Sequence, residues 1–260
     1  MRNILAIVER ELRAYFISPV AYVVLTVFVL LSGIFFLLVL NQIIQMATIN
    51  ALQSQRFGTG PAPIDMPFLV SSNYLGSMQV ILLFTLPMIT MVLFSDEKRR
   101  GTIELLLTVP LTDVQIVLGK FLAAVSFYAI MLATTWIPMS VLFLYGDPAW
   151  RPILTGYLGL FLYGVALLAL GLFVSTLTEN QIVAGFASFG TALILWIIDG
   201  VAQNATALTR EVLTYVSILG HMDDFRLGVI STTDVIYYLS MMTLALFLTY
   251  RSIDSMRWRG

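Results

Sequence analysis

The stretch VAYVVLTVFVLLSGIFFLLVL, residues 20–40, contains no charged side chain and only two hydroxyl groups beyond that of Tyr22. An α-helix rises about 1.5 Å per residue, so roughly 20 apolar residues are needed to cross the 30 Å hydrocarbon layer of a membrane. The stretch has that length. It therefore predicts a transmembrane helix.

The same apolar pattern recurs along the chain. Further runs occupy 76–94, 121–145, 153–177, 182–198 and 235–250. Hydrophobic residues make up 59% of the chain and charged residues 11%, whereas soluble domains average about a quarter charged. We predict an all-α polytopic membrane protein of about six transmembrane helices, forming one domain over 1–260.

The distribution of Lys and Arg predicts the orientation of this bundle. Of the 14 Lys and Arg residues, ten fall on one side of the predicted helices, in 1–18, 95–120 and 251–260. The positive-inside rule places that side in the cytoplasm. Both termini and the segment 95–120 are then cytoplasmic, whereas 41–75 and 199–233 form outer loops, the second with a short surface helix near 201–215.

The leader, residues 1–18, has the pattern of an amphipathic helix lying in the headgroup plane. Apolar residues share one face at helical spacing, and charged residues share the other. Ser18-Pro19 ends the helix before the first transmembrane run. The apolar face comprises Ile4, Leu5, Val8, Leu12, Tyr15 and Phe16, and the polar face comprises Arg2, Asn3, Glu9, Arg10 and Arg13.

Several functions are disfavoured by what the sequence lacks. None of the predicted transmembrane runs contains Asp, Glu, Lys, Arg or His, although ion-coupled transporters need such groups at depth. Gly119-Lys120 is followed by Phe121 and lacks the preceding glycine of a phosphate-binding loop. A net charge of −1 disfavours nucleic acid as a partner. If the protein moves a substrate against a gradient, the energy must come from another polypeptide.

Two groups of residues could suggest a metal site or a serine-protease site, but a structural role explains each group better. His221-Met-Asp-Asp224 offers potential ligands, but one histidine and no cysteine do not make a transition-metal site. Ser188, with Ala184, Gly171 and Ser175, fits small-residue helix packing better than an intramembrane serine protease. We predict no catalytic, cofactor-binding or metal-binding residue in this chain.

The segment 95–120 has the features of a docking element. Gly101 can end one helix, Thr102 can begin a short one, and Pro110 stops it. Thr112 and Gln115 form a capping box that opens the next helix. Ile103, Leu105, Leu106 and Leu107 would then be exposed on the charged side of the membrane and would need an apolar groove.

These residues resemble a known family. Gly101-Thr-x-Glu104-x-Leu-Leu-x-x-Pro110, followed by Gly119-Lys-Phe121, is similar to the coupling segment of type-2 ABC exporter permeases. Ala14-Tyr-Phe-x-Ser-Pro19, Ser95-Asp-Glu-Lys98 and the pattern of Asp223 to Val235 resemble the gliding-motility-associated (GldF-like) branch. The resemblance covers essentially the whole chain.

The resemblance implies a permease half in a bacterial inner membrane. The half would pair with a second permease, identical or related, and with two ABC ATPase subunits that bind ATP and Mg²⁺. The leader would be the interfacial elbow helix. The implied ATPase-coupling residues are Glu97, Gly101, Thr102, Ile103, Glu104, Leu105, Leu106, Leu107 and Pro110.

The second and third predicted transmembrane runs each contain a proline. Pro87 and Pro138 fall inside these two runs and are candidate hinges, although prolines without a gating role are also common there.

The alternative function is a membrane anchor that transmits ATPase motion to partners in the cell envelope without passing a substrate. The alternative for 95–120 is a membrane-interfacial hairpin without a partner.

Overall fold

The computed structural model of the chain describes residues 2–57, 65–103, 111–203 and 206–257. Within these ranges every regular element is a helix. The elements are α1 (Arg2–Ile17), α2 (Pro19–Phe57), α3 (Met66–Thr90), α4 (Ser95–Arg99), α5 (Asp113–Thr134), α6 (Trp136–Tyr145), α7 (Trp150–Ser175), α8 (Gln181–Ala202), α9 (Ala207–Val216), a 3₁₀ turn (Gly220–Met222), α10 (Asp223–Arg226) and α11 (Thr232–Arg257).

Six helical stretches in the described ranges are long and apolar enough to cross a membrane. This confirms the predicted fold class. The stretches are Ala21–Phe57, Met66–Arg99, Asp113–Tyr145, Trp150–Ser175, Gln181–Ala202 and Thr232–Met256.

Helix α7 lies at the centre of the bundle and packs against α3, α5, α8 and α11. Glycines allow this close packing: a Cβ at Gly159 would lie 2.6 Å from Phe225 Cγ, and one at Gly156 would lie 2.5 Å from Leu75 Cδ1. Small residues let membrane helices approach closely. In contrast, fewer than a third of the residues in the apolar windows of α2, α8 and α11 are buried.

Residues 41–75, predicted to form an outer loop, contain a shorter loop than the sequence predicted. Helix α2 continues to Phe57, and α3 begins at Met66, so most of 41–75 is helical. The prediction failed because Gln42, Gln45 and Asn50 lower the hydropathy of this stretch without breaking a helix. The start of α3 is fixed by Asp65, whose carboxylate accepts a hydrogen bond from the Phe68 N–H at 3.0 Å.

Both candidate hinge prolines lie close to helix breaks. Pro138 has no N–H to donate a hydrogen bond to the Thr134 carbonyl, and the helix is interrupted at Thr135, between α5 and α6. At that break Thr135 Oγ1 lies 2.9 Å from Tyr157 Oη of α7. Pro87 lies in the last turn of α3, before the turn at 91–94 that leads into α4. Whether either break moves stays a prediction.

Candidate functional site

The candidate site is built around α4, the short helix at the end of the bundle that also carries α1. Helix α4 ends at Arg99, and Gly101 follows with a φ of 68°. Glycine tolerates this left-handed conformation, which reverses the chain after a helix. The Gly101 N–H donates to the Lys98 carbonyl at 3.0 Å. The helix end predicted at Gly101 is therefore present.

Four charged side chains from three helices meet beneath α4, and we call them the basal cluster: Arg10 and Glu11 of α1, Glu97 of α4, and Lys120 of α5. Lys120 Nζ lies 2.8 Å from Glu97 Oε1 and 3.1 Å from Glu11 Oε1. Arg10 Nη2 lies 2.6 Å from Glu11 Oε1 and 3.7 Å from Glu97 Oε1. Through these contacts one ammonium group connects the first helix to α4 and α5.

Burial makes the pairing of Lys120 essential. The residue is 1% exposed, and removing a lysine charge from water costs several kcal/mol unless opposite charges surround it. Two carboxylates do so here, and the Phe94 ring lies 5.2 Å from the ammonium. Burial raises the pKa of Glu11, but Lys120 and Arg10 together outweigh that effect, so its pKa lies below the usual value.

Helix α1 lies against α5 because Gly119 leaves room for it. A Cβ at this position would lie 2.6 Å from Ile7 Cγ2. Two aromatic contacts hold the other end of α1, since the Phe127 ring of α5 lies 5.5 Å from Tyr15 and 6.0 Å from Phe16. The Gly119-Lys120 pair thus both admits α1 and binds its carboxylate.

The amphipathic leader is a helix, as predicted, but its buried side differs in part. Ile7 is buried, whereas Leu5 is 66% exposed. Glu11 turns inward with the apolar residues because Lys120 compensates its charge. Glu9 and Arg13 form an exposed i,i+4 ion pair of 2.5 Å, as a solvent-facing side predicts. Arg10, predicted on that side, is 55% exposed in its side chain, and its guanidinium group also reaches Glu11 in the basal cluster.

A second set of contacts joins α4 to the junction between α7 and α8. Ser175 Oγ accepts hydrogen bonds from the backbone N–H groups of Phe94, at 3.0 Å, and Ser95, at 3.1 Å. Lys98 Nζ donates to the Thr176 carbonyl. Gln181 Nε2 donates to Asp96 Oδ1 at 2.6 Å. Helix α4 is therefore held on both sides, by the basal cluster and by α7 and α8.

The predicted coupling residues are only partly within the described ranges. Thr102 Oγ1 lies 3.3 Å from the Glu97 carbonyl oxygen. Ile103, predicted to be exposed, is partly buried and packs against the core. Beyond it the capping box is present, with the Gln115 N–H 3.4 Å from Thr112 Oγ1. Glu104, Leu105, Leu106, Leu107 and Pro110 lie outside the described residues.

Sequence reasoning missed Glu11 and Lys120 as structural partners. Lys120 lies in the predicted cytoplasmic segment 95–120, and the structure places it within α5, which begins at Asp113. A signal was available: at helical spacing Glu11 shares a face with Ile4, Ile7 and Tyr15 of the leader, and an acidic residue there implies a buried cation nearby.

At the opposite end of the bundle, His221 has a structural environment. Its Nε2 lies 3.0 Å from the Tyr215 carbonyl oxygen and its Nδ1 lies 2.7 Å from Asp234 Oδ1. The imidazole stacks on Tyr237 at 3.9 Å. Among the described residues, no group of three or more His, Asp or Glu side chains could hold a metal ion. These contacts tie the 3₁₀ turn to α11.

The fold and the site define a class: a multi-pass α-helical membrane protein in which a buried charge cluster joins one short helix to the bundle. The family model described as ABC-2 family transporter protein matches residues 5–253. The chain belongs to this family of ABC transporter permeases, which implies an ABC ATPase partner and a membrane context. A comparison with curated proteins finds no match.

Proposed function

We propose that this chain is the permease subunit of an ABC exporter, driven by a separate ATPase that docks on the segment following α4. The observation that carries the proposal is the basal cluster. Its contacts, with those of Ser175 and Gln181, join α4 to α1, α5, α7 and α8. A displacement applied at the end of α4 would therefore act on several helices at once.

The position of Gly119-Lys120 supports an external energy source. The pair lies within α5, whereas a phosphate-binding lysine must follow a glycine-rich loop at a helix start. The Lys120 ammonium is also engaged by Glu11 and Glu97. ATP and Mg²⁺ would accordingly bind to the partner ATPase, and this chain would catalyse no reaction.

The proposed orientation follows the cations. The end of the bundle bearing α1, α4 and the carboxyl end of α11 would face the cytoplasm of a bacterium, with the chain in the inner membrane. The loop that holds His221 would face outward. Arg99 and Arg100, 61% and 65% exposed in their side chains, would lie beside the ATPase surface.

We further propose that the permease pairs with a second permease, through apolar faces that α2, α8 and α11 leave exposed. Exposed residues of α8 include Ile182, Phe186 and Ile194. Within the family, the resemblance of Ser95 to Lys98 and of Asp223 to Val235 supports a place near the gliding-motility-associated branch.

The test is purification of the tagged chain from native membranes, with identification of the co-purifying chains. The proposal expects an ABC ATPase, a second permease copy or relative, and ATP hydrolysis only by the assembly. Nucleotide binding or hydrolysis by the isolated chain would contradict it. If an ATPase and envelope proteins co-purify but the reconstituted assembly transports no substrate, the membrane-anchor alternative is favoured instead.

A further inference from the structure

A cavity of about 700 Å³ opens between α1, the start of α2, the end of α3 and α4. One wall is apolar, formed by Ala21 and Val24 of α2 with Met88, Ile89 and Leu93 from the α3 side. A volume in this range is typical of small-molecule sites. The cavity lies next to the helix predicted to occupy the headgroup plane, so membrane lipid is the nearest source of an amphiphilic ligand.

Two buried polar atoms of cavity-lining residues have no hydrogen-bond partner among the described residues: Tyr15 Oη and Glu97 Oε2. The other Glu97 oxygen is engaged by Lys120 at 2.8 Å. Burial, with the nearby Glu11 and Glu97 charges, raises the pKa of Tyr15 far above its usual value. The hydroxyl is therefore a hydrogen-bond donor, whereas the carboxylate oxygen is an acceptor. The lining thus offers one donor and one acceptor to a bound molecule.

The mouth of the cavity carries cations. Arg10, Arg99 and Arg100 line it, with side chains 55%, 61% and 65% exposed. Arg10 and Arg100 form close ion pairs, at 2.6 Å with Glu11 and 2.8 Å with Asp96, whereas Arg99 forms a looser pair with Asp96 at 3.6 Å. Guanidinium groups bind phosphate oxygens in a bidentate manner. The mouth is therefore suited to a phosphate group.

We propose that this cavity binds a membrane phospholipid whose headgroup carries an N–H or O–H donor beyond its phosphate. The phosphate contacts the arginines and accepts from Tyr15 Oη, the headgroup donor bonds to Glu97 Oε2, and part of one acyl chain lies along Val24, Met88 and Ile89. Ethanolamine and glycerol headgroups meet this requirement. A choline headgroup does not, because its quaternary nitrogen has no hydrogen.

The proposal needs only a membrane context and is independent of transport. The delipidated, purified full chain in detergent would be titrated with phosphatidylethanolamine, phosphatidylglycerol or phosphatidylcholine of identical acyl chains, and bound lipid counted by native mass spectrometry. We expect the first two to bind about tenfold more tightly than phosphatidylcholine. Equal binding of all three would overturn the proposal.

Variants locate the site. Tyr15→Phe keeps the ring on Phe127 and removes only the hydroxyl, so binding should weaken about five- to tenfold, and Arg99→Gln/Arg100→Gln should weaken it at least as much. Arg13→Gln, an exposed change elsewhere on α1, is the matched control. Unchanged binding in both test variants would overturn the proposal. Equal competition by soluble glycerophosphoethanolamine would also overturn it, by assigning the site to a free phosphodiester.

Discussion

Lys120 Nζ lies 2.8 Å from Glu97 Oε1, although Lys120 belongs to the long helix α5 and Glu97 to the five-residue helix α4. The lysine is buried about two turns into α5. The same ammonium also contacts Glu11 of α1. Helix α4 is therefore attached, through one buried charge, to both the leader and the bundle.

Removing the Lys120 charge together with its partner Glu11 should destabilise the protein less than the two single changes added together. Lys120→Met removes the buried cation from two carboxylates and leaves only the more exposed Arg10 beside them, so it should lower the free energy of unfolding by about 3–5 kcal/mol. In Lys120→Met/Glu11→Gln the penalty should be smaller than the sum of the two single changes. Denaturant unfolding of the four proteins in detergent measures this coupling. Additive effects would show that Glu11 and Lys120 do not interact.

The basal cluster should also weaken in acid. The pKa of Glu11 is lowered in the folded protein because Lys120 and Arg10 outweigh the effect of burial. Its contribution to stability is therefore complete above the unfolded value, about 4.3, and is lost as the pH falls through the lower folded value. As the pH is lowered, the unfolding temperature of Glu11→Gln should fall less steeply than that of the unmodified protein. Identical curves for the two proteins would contradict this linkage.

Gly119 should not tolerate a side chain. Gly119→Ala brings a methyl group within 2.6 Å of Ile7 Cγ2 and 2.7 Å of Ile7 Cβ, so α1 must move away from α5, with an expected loss of about 1–3 kcal/mol. Gly33→Ala in α2 is the matched control, because no atom lies within 4 Å of the added Cβ. It should be neutral or slightly stabilising. Equal thermal stability of both variants would contradict the packing described for α1.

The proposed orientation is testable with single cysteines, since the chain contains none. A cysteine at Thr59 should react with a membrane-impermeant reagent added outside intact cells, after removal of any outer membrane barrier. One at Arg99 should react only after the membrane is opened. Shielding of position 59 together with labelling of position 99 from outside would mean that the topology is inverted.

The sequence predicted the features that depend on local pattern. Residues 20–40 identified a membrane helix by apolar length alone, and Gly101 and Thr112 marked helix ends by their backbone chemistry. The sequence did not predict that α2 extends through Gln42 and Gln45, because hydropathy indicates which residues can lie in the membrane and not where a helix ends. Lys120 and Glu11 are 109 positions apart in the sequence, and the packing of α1 on α5, at Gly119 and at Phe127, brings them together.

Leu106→Asp tests the central claim, that the segment after α4 docks on the ATPase, most directly. A charge placed in an apolar groove without a partner costs several kcal/mol, enough to release a docked subunit. The matched control is Gln53→Asp, which places the same charge on an exposed position of α2. Glu104→Ala should have a milder effect if its carboxylate pairs at the rim of the groove.

The measurement is the amount of ATPase that co-purifies with each tagged variant, together with ATP hydrolysis by the recovered assembly. We expect Leu106→Asp to lose the ATPase while the chain remains inserted and folded, and Gln53→Asp to retain it at the level of the unmodified protein. If Leu106→Asp keeps full association and full hydrolysis, the coupling role of this segment is wrong, and the interfacial-hairpin interpretation becomes the better one.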